Sequence, residues 1–461
     1  MKKQNKNITA VMAVIAIFLV LSVVAGVFMA TRPTGADGAA SGDSLSTDTS
    51  SQKADSLEST ASNSSSTSSA AEKPQKTPSK TPTPKPPKGE QTPSAQPTSG
   101  EYRGVWISYL EYQGMDMSSR DGFVRDITAT FKNCADMGIN TVIVHVRPFG
   151  DALYKSSIFP QSHLLSGTQG QDAGYDPLAE MVNIAHSMGL KIEAWVNPYR
   201  VQLSSKMPSS IAATNPAKDS SLTFSANGGV YYNPALPQVQ DLVVRGIEEI
   251  VANYQVDGIH IDDYFYPTTD LAIDKKDYDA SGSALSQSDW RRENVNSLVR
   301  KIYDKIKSVN SAVTFGISPQ GNNDNNYNTQ YSDVELWLSQ TGYADYVMPQ
   351  LYWGFNYLTK SGREDYQFAK LAAQWAKYPR ADGVKLYIGL GAYRIGAGDG
   401  GSNDQGEWSS GTNLAKMVNA TRGIDGISGT GMYRYDNLFK NSENSALAQS
   451  EREHLAAAFA G

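Results

Sequence analysis

Residues 256–267 read VDGIHIDDYFYP, and their pattern predicts a strand followed by a charged, aromatic loop. Apolar and polar side chains alternate up to Ile261, which is the two-residue period of a β-strand. Two adjacent aspartates, Asp262 and Asp263, come next, followed by three aromatic residues and a proline. The stretch therefore predicts a strand that leaves the core and ends at paired carboxylates.

The sequence from Glu101 onward repeats a short apolar strand, a loop and an amphipathic helix. Helical patterns separate the strands, for example over 237–254 and 295–309. The predicted strands are 103–110, 140–148, 190–200, 257–265, 313–319, 345–353, 385–394 and 426–435. Eight strands alternating with helices predict an α/β fold of the (β/α)8 TIM barrel type. A doubly wound open sheet is the alternative, but it usually carries a glycine-rich turn after the first strand, and residues 109–112 are not one.

The first hundred residues have a different composition. Residues 1–7 contain three lysines, and residues 8–30 contain no charged side chain. As a helix, 8–30 would extend roughly 34 Å, enough to cross a bilayer. We therefore expect a cytoplasmic N-terminus, a transmembrane signal-anchor over 8–30 and an extracytoplasmic remainder. The alternative is a cleaved signal peptide and a secreted protein. Residues 31–99 are rich in Ser, Thr, Pro and Lys, which predicts a disordered linker before the domain at 100–461.

Composition excludes several kinds of site. The net charge is −6 and the pI is about 5.5, so no basic surface for nucleic acid is indicated. The single cysteine, Cys134, lies in a predicted helix and supports neither a disulfide framework nor a cysteine metal site. The five histidines form no HxH or HExxH pair. We therefore expect no metal and no cofactor.

Strand parity locates the polar side chains. In a barrel, one face of each strand meets the helices and is apolar, whereas the other faces the interior. The polar row consists of His145, Arg147, Glu193, Trp195, Asn197, His260, Asp262, Ser318 and Gln350. Asp262 is expected at the carboxyl end of the fourth strand, where barrel active sites lie. Asp263 has the opposite parity, but the strand is ending there.

Two carboxylates at a barrel mouth suit glycoside hydrolysis, which needs an ionised carboxylate as nucleophile or base and a carboxyl group as proton donor. Asp262 is the first choice for the ionised carboxylate, and Asp263 is the second. Adjacent side chains on a strand diverge, so a donor from another loop is expected. Glu193 is predicted to lie too deep. The open candidates for the donor are Asp151 and Asp436, with Glu407 and Glu111 behind them.

Sugars present apolar C–H faces to aromatic rings and hydroxyls to fixed polar groups. The predicted substrate-contacting rings are Trp195, Tyr199, Tyr264, Tyr266, Tyr352, Trp353 and Tyr433. The predicted polar contacts are Arg147, Asp151, Asn197, Arg200, His260, Gln350 and Asp436. Alternatively, Asp262 and Asp263 are structural, Arg147 and Asp151 pair only with each other, and Tyr352 and Trp353 only pack.

Several ordered motifs resemble one known family. They are RGVWISY, VIVHVRPFGDALY, KIEAWVNPYR, YYNPALPQVQDLV, VDGIHIDDYFYP, GISP, VMPQLYW and GLGAYRIG. Over about residues 101–435 they are similar to the glycoside-hydrolase-like family 10 of bacterial envelope proteins, formerly a domain of unknown function. The resemblance implies a (β/α)8 barrel with glycosidase activity and carries the family's acidic motif onto Asp262 and Asp263. Some members are described as cutting peptidoglycan strands that have lost their stem peptides.

The fourth strand is also faintly similar to that of amylase-type barrels, in which an inward basic residue precedes the nucleophile by two positions. His260 and Asp262 occupy those places, whereas GISPQG has no acid on the fifth strand. The expectation from the sequence is thus a membrane-anchored glycoside hydrolase of a cell-wall glycan. The alternatives are a hydrolase of another polysaccharide, such as an α-glucan or an exopolysaccharide, and a non-catalytic glycan-binding barrel.

Overall fold

The computed structural model describes residues 100–460, apart from residues 205 and 206. The predicted cytoplasmic segment, signal-anchor and linker lie outside the described residues. Within the described part of the chain, no helix is both long enough and apolar enough to cross a membrane.

The central element is a closed sheet of parallel strands. These strands are β1 (Tyr102–Ile107), β2 (Thr141–Arg147), β3 (Lys191–Val196), β7 (Gly258–Ile261), β8 (Thr314–Ile317), β9 (Tyr346–Val347), β10 (Gln350–Leu351), β11 (Lys385–Gly391) and β12 (Ile427–Tyr433). Strand β12 pairs with β1, and β11 pairs with both β9 and β10. Because β9 and β10 follow each other around Met348 and Pro349, they share one position, and the sheet closes as an eight-position barrel. The predicted barrel is confirmed.

Three short strands form a separate antiparallel sheet between β3 and β7. They are β4 (Arg200–Gln202), β5 (Thr223–Ala226) and β6 (Gly229–Tyr232), in the order β4-β6-β5. The predicted third strand, 190–200, was therefore too long, because Pro198 has no N–H with which to continue the ladder. This small sheet follows the carboxyl end of β3 and carries Arg200 at its start.

The helices surround the barrel. They are α1 (Tyr109–Tyr112), α2 (Arg120–Asp136), α3 (His163–Ser166), α4 (Pro177–Ser187), α5 (Pro237–Asn253), α6 (Lys275–Ser281), α7 (Gln287–Val309), α8 (Asn323–Asn328), α9 (Val334–Ser339), α10 (Phe368–Lys377), α11 (Asn413–Arg422), α12 (Tyr435–Phe439) and α13 (Ser445–Ala460). In α5, proline occupies the first turn and buried side chains recur at Val239, Val243, Ile247 and Ile250. That apolar stripe packs the helix inward, against α7 and the sheet.

Two apolar clusters follow from strand parity. The larger lies between sheet and helices and contains Ile259 and Ile261, together with the buried Cys134. The smaller fills the barrel interior and consists of Trp106, Ile143, Trp195, Tyr346 and Met348. His260, between the two isoleucines, contacts Trp106 of the inner cluster. The predicted alternation on the fourth barrel strand is therefore confirmed.

Candidate active site

A chain of hydrogen bonds lies inside the barrel and centres on His260. The Nε1 atom of Trp106 donates to His260 Nε2 at 3.1 Å. Since an indole nitrogen can only donate, His260 Nε2 is unprotonated and Nδ1 carries the proton toward the Tyr346 hydroxyl at 2.8 Å. Tyr346 in turn donates to Glu193. Burial lowers the pKa of His260 to about 3 and raises that of Glu193 to about 7, so His260 is neutral near pH 7.

Glu193 is far from the carboxyl ends of the strands. The strand register places it opposite Gly258, four residues before Asp262, or roughly 13 Å at the rise of a β-strand. The hydrogen bonds that connect Trp106, His260, Tyr346 and Glu193 therefore lie inside the barrel below the mouth. Glu193 is the member farthest from the mouth.

Asp262 and Asp263 follow the last residue of β7 and have different surroundings. Asp262 is 3% exposed; its Oδ1 atom accepts the Tyr264 N–H at 3.1 Å, and this local turn ends the strand earlier than predicted. Asp263 is partly exposed, and its Oδ1 atom accepts from Gln350 Nε2 at 3.0 Å. The same Gln350 nitrogen donates to the Ser318 carbonyl at 3.0 Å. Gln350 therefore holds Asp263 against the neighbouring strands.

Both carboxyl groups are shifted toward their protonated forms. Burial raises the pKa of Asp262 to about 7; the charge of Asp263 adds to this rise and Arg200 opposes it. Burial also raises the pKa of Asp263, and the hydrogen bond from Gln350 opposes that rise. Raised carboxyl pKa values are the property that proton donors need near neutral pH.

Arg200 is held by the segments that follow β2 and β3. Its Nε atom donates to the Pro148 carbonyl at 2.9 Å, and its backbone N–H donates to Asn197 Oδ1 at 3.0 Å. The guanidinium carbon lies 5.2 Å from the centroids of Phe149 and Tyr264. Among the described residues it forms no ion pair, and its charge acts on the two aspartates from a distance.

Several buried polar atoms near the carboxyl ends of β2, β3 and β7 have no partner among the described residues. They are both ring nitrogens of His145, Asn197 Nδ2 and Asp262 Oδ2. The rings of His145 and Trp195 stack with centroids 3.7 Å apart, and the Trp195 indole favours the charged form of Asp262. An unsatisfied buried polar atom costs about 1–3 kcal/mol. Several of them near the carboxyl ends of β2, β3 and β7 are a cost to the fold that is typical of a functional site.

The other predicted rings are divided between the mouth and the packed core. Tyr352 stacks on Tyr433 with centroids 5.7 Å apart, and the charge of Asp263 contributes to raising the Tyr352 pKa, so these rings lie near the carboxylates. Trp353 packs instead against Tyr357 and Tyr366. Tyr199 and Tyr266 are fully buried in the outer apolar cluster.

The predicted donor acids in the other loops are held by partners. Buried Asp151 accepts from His163 Nδ1 at 2.7 Å and Gln169 Nε2 at 3.0 Å. Buried Glu111 pairs with Arg434 and accepts from the Ser108 hydroxyl at 2.6 Å.

The two remaining candidates are also engaged. Asp436 lies 3.6 Å from Lys440 Nζ, and Glu407 accepts the Phe355 N–H at 2.9 Å. Among the described residues, the structure therefore brings only Asp263 beside Asp262 as a second carboxyl group without an ion pair.

Arg147 does not pair with Asp151. Its NH2 atom donates to the Pro198 carbonyl at 3.3 Å, and its guanidinium carbon lies 4.5 Å from the Phe159 ring centroid. The described residues contain no ion pair between Arg147 and Asp151, so the alternative that they bind each other is wrong. Both side chains are buried.

Sequence reasoning missed Trp106 and Tyr346, which hold His260. Trp106 shares strand parity with Ser108, but a tryptophan in an apolar strand is indistinguishable from core. Tyr346 fits because Gly316 lies beneath it: a Cβ on this glycine would be 1.8 Å from the tyrosine Cζ. The glycine on β8 was the available signal, since glycine within a strand often marks close approach.

Barrel enzymes have their reactive groups where the parallel strands end, and glycosidases rely there on carboxylates beside rings that stack on sugars. Asp262 and Asp263 occupy that position, with Tyr352 and Tyr433 nearby. The fold and the site thus define a (β/α)8 barrel of the glycoside hydrolase type. The chain belongs to the glycosyl hydrolase-like 10 family, whose model matches residues 101–410. This confirms the resemblance carried by the motifs.

Named relatives agree with this family assignment, and one solved structure agrees with the fold. The chain is 34% identical over 367 residues to glycosyl hydrolase YngK of Bacillus subtilis (strain 168), covering 74% of this chain and 69% of YngK. It is 33% identical over 404 residues to glycosyl hydrolase DigH of Escherichia coli (strain K12), covering 79% of this chain and 90% of DigH. The glycoside hydrolase domain of PgaB (BpsB) from Bordetella bronchiseptica superposes with a TM-score of 0.51 at 13% identity, covering 76% of this chain and 98% of that domain. The last likeness concerns the fold alone.

Proposed function

We propose that this protein is a membrane-anchored, extracytoplasmic glycoside hydrolase that cleaves a cell-wall glycan, in particular peptidoglycan strands without stem peptides. The observation that carries the proposal is the Asp262–Asp263 pair at the barrel mouth, where Asp262 Oδ2 is buried and has no partner among the described residues. Family membership supports hydrolysis of a glycosidic bond. The charge-free segment 8–30 supports the anchor.

In this proposal Asp262 is the principal catalytic carboxylate and Asp263 is the second. Arg200, Asn197 and Gln350 supply polar contacts to the sugar hydroxyls. The aromatic rings Trp195, Tyr264, Tyr352 and Tyr433 provide stacking surfaces for the sugar faces.

One observation favours a second candidate, a barrel that binds a glycan without cleaving it. The acids of the other loops are held by Arg434, His163, Lys440 and backbone N–H groups, so a donor from across the cleft is missing among the described residues. A hydrolase of an α-glucan or an exopolysaccharide is the alternative within enzymes.

The test incubates the full-length protein with peptide-free peptidoglycan strands and, separately, with starch-like glucans, and follows released fragments by mass. We expect cleavage of the peptidoglycan strands and a loss of at least about 100-fold in Asp262→Asn. Asp279→Asn, on the exposed face of α6, is the matched control and should cleave normally. Binding of the strands without cleavage by the native protein would favour the non-catalytic candidate, and cleavage of glucans alone would favour the other hydrolase.

The anchor has its own test. Membranes of expressing cells are isolated, and the domain is exposed to protease from the outer face. We expect the full-length chain in the membrane fraction, and we expect protease added at the outer face to digest the domain. Recovery of a shortened chain in the medium would instead mean that the N-terminal segment is a cleaved signal peptide.

A further inference from the structure

The guanidinium of Arg200 lies where four neighbouring strands end. Strands β1, β2, β3 and β7 are consecutive in the sheet. The guanidinium carbon lies 5.2 Å from the ring centroids of Phe149 and Tyr264 and 5.7 Å from that of Tyr109. These aromatic residues come two or three positions after the last residues of β2, β7 and β1, and Arg200 comes four positions after the end of β3. The guanidinium is therefore at the end of the barrel that carries the paired aspartates.

The terminal nitrogens of Arg200 have hydrogen-bonding capacity that the described part of the chain does not use. The side chain is only 6% exposed, and its Nε atom is taken by the Pro148 carbonyl at 2.9 Å. Within residues 100–460, apart from 205 and 206, neither Nη1 nor Nη2 has a hydrogen-bond or ion-pair partner, and neither atom is sealed from solvent. Their N–H groups therefore remain available to a ligand that reaches the surface of the barrel mouth.

The charge of Arg200 favours an anion as that ligand. A guanidinium keeps its charge at every physiological pH, and here aromatic rings replace part of the water around it. Burial raises the pKa of both Asp262 and Asp263, and the Arg200 charge opposes this rise from a distance, without an ion pair to either carboxyl group. A nearly buried charge without a counter-ion is costly, so binding an anion is favourable. The planar fork of an arginine matches the two oxygens of a carboxylate.

We propose that Arg200 binds a carboxylate of the glycan and thereby selects peptidoglycan strands that lack stem peptides. This inference rests on the proposed function and gives Arg200 a more specific ligand than a sugar hydroxyl. In peptidoglycan the stem peptide is joined by an amide bond to the lactyl group of alternate sugars. Loss of the peptide leaves a lactyl carboxylate, whereas an intact stem replaces that charge with a neutral amide. Arg200 is thus a residue that determines specificity, and it transfers no proton.

The test compares two forms of the same peptide-free strands with the full-length protein. One form has free lactyl carboxylates, and in the other these groups are converted to primary carboxamides, which have nearly the same shape but no charge. We expect the native protein to cleave the carboxylate strands with a kcat/KM about 10–100-fold higher, because hydrogen bonds to a charged group are stronger than those to a neutral one. The difference should lie mainly in KM, since the contact is the same in the bound substrate and in the transition state.

Substitutions connect this preference to Arg200. Arg200→Gln should bring the ratio of the two kcat/KM values close to one, whereas Arg200→Lys, which keeps the charge but not the planar fork, should retain part of the preference. The ratio compares two substrates on one protein, so a smaller folded fraction in a variant does not alter it. Arg245→Gln is the matched control: it removes the charge of an exposed arginine on α5 and should leave the ratio unchanged. The Kd of each strand form is measured alongside and supplies the ratio for any variant that does not cleave.

The outcomes separate this inference from the proposed function. Equal kcat/KM values for the two strand forms in the native protein, or a preference that survives in Arg200→Gln, would overturn the inference while leaving the protein a glycoside hydrolase. If the native protein cleaves neither form but binds the carboxylate strands more tightly, and Arg200→Gln loses that difference in Kd, the inference stands and hydrolysis is refuted. No cleavage and no difference in Kd would overturn both.

Discussion

The buried ion pair between Asp274 and Arg291 holds the segment that follows the two aspartates, and its removal is our most specific prediction. Both side chains are fully buried, with Arg291 Nε 2.9 Å and NH2 2.6 Å from the two carboxylate oxygens. Arg291 NH2 also donates to the Asp270 carbonyl at 2.7 Å. The guanidinium carbon lies 4.8 Å from the Tyr266 ring centroid and 4.9 Å from that of Tyr331. Through this ion pair, helix α7 holds the loop that follows Asp262 and Asp263.

Replacing one partner leaves the other charge buried. Asp274→Ala removes both oxygens that face Arg291, and breaking a buried pair in this way costs about 3–5 kcal/mol. The Asp270 carbonyl and the two rings still contact the guanidinium, so we expect a value near 3 kcal/mol, at the lower end. Asp279→Ala is the matched control: it breaks the exposed pair with Lys275 on α6, where the side chains are 57% and 59% exposed. That loss should be about 0.3–0.5 kcal/mol.

The assay is urea denaturation of the full-length protein, with the midpoint and slope fitted for each variant. Asp274→Ala should lower the midpoint with an unchanged slope. The double variant Asp274→Ala/Arg291→Met should recover part of the loss, because no unpaired charge remains. A loss in Asp274→Ala no larger than that in Asp279→Ala would refute the reasoning, since the buried charge would then cost nothing.

Three further predictions concern the barrel interior and the mouth. Glu193→Gln should flatten the pH dependence of the unfolding free energy. Burial raises the Glu193 pKa from 4.5 to about 7, so the native state keeps a proton that the unfolded chain releases. The resulting stabilisation of the native protein, about 3 kcal/mol, is lost as pH rises from 5 to 8. Gly316→Ala should destabilise the fold by about 3 kcal/mol in urea denaturation, at the upper end for overpacking, because the new Cβ would lie 1.8 Å from Tyr346 Cζ. Gln350→Ala should raise the Asp263 pKa by removing the hydrogen bond that lowers it, and thus move the alkaline limb of kcat to higher pH.

The controls for these variants lie away from the site. A Cβ at Gly423 would have its nearest neighbour at 3.5 Å, so Gly423→Ala should be close to neutral. Gln449→Ala removes an exposed amide of α13 and should leave the pH profile of kcat unchanged. An identical pH dependence of stability in the native and Glu193→Gln proteins, or an unmoved alkaline limb in Gln350→Ala, would contradict the corresponding prediction.

The sequence alone was sufficient for the barrel and for the position of the paired aspartates. Alternation in strands such as 256–261 and apolar stripes in helices such as α5 are local properties, because each side chain's direction is set by its own backbone. The strand ends were less accurate. The third predicted strand stops at Val196 and the fourth at Ile261, where Pro198 and the Asp262 turn interrupt the ladders.

The partners within the site were decided by tertiary structure. Trp106 reaches His260 across 154 positions of the chain, and Gln350 reaches Asp263 across 87. Glu111 appeared available in the sequence, yet it is held by Arg434 from 323 positions away. Such pairs form only when the barrel closes and brings the ends of non-consecutive strands together. Local pattern determines which way each side chain points, whereas closure of the sheet determines what that side chain meets.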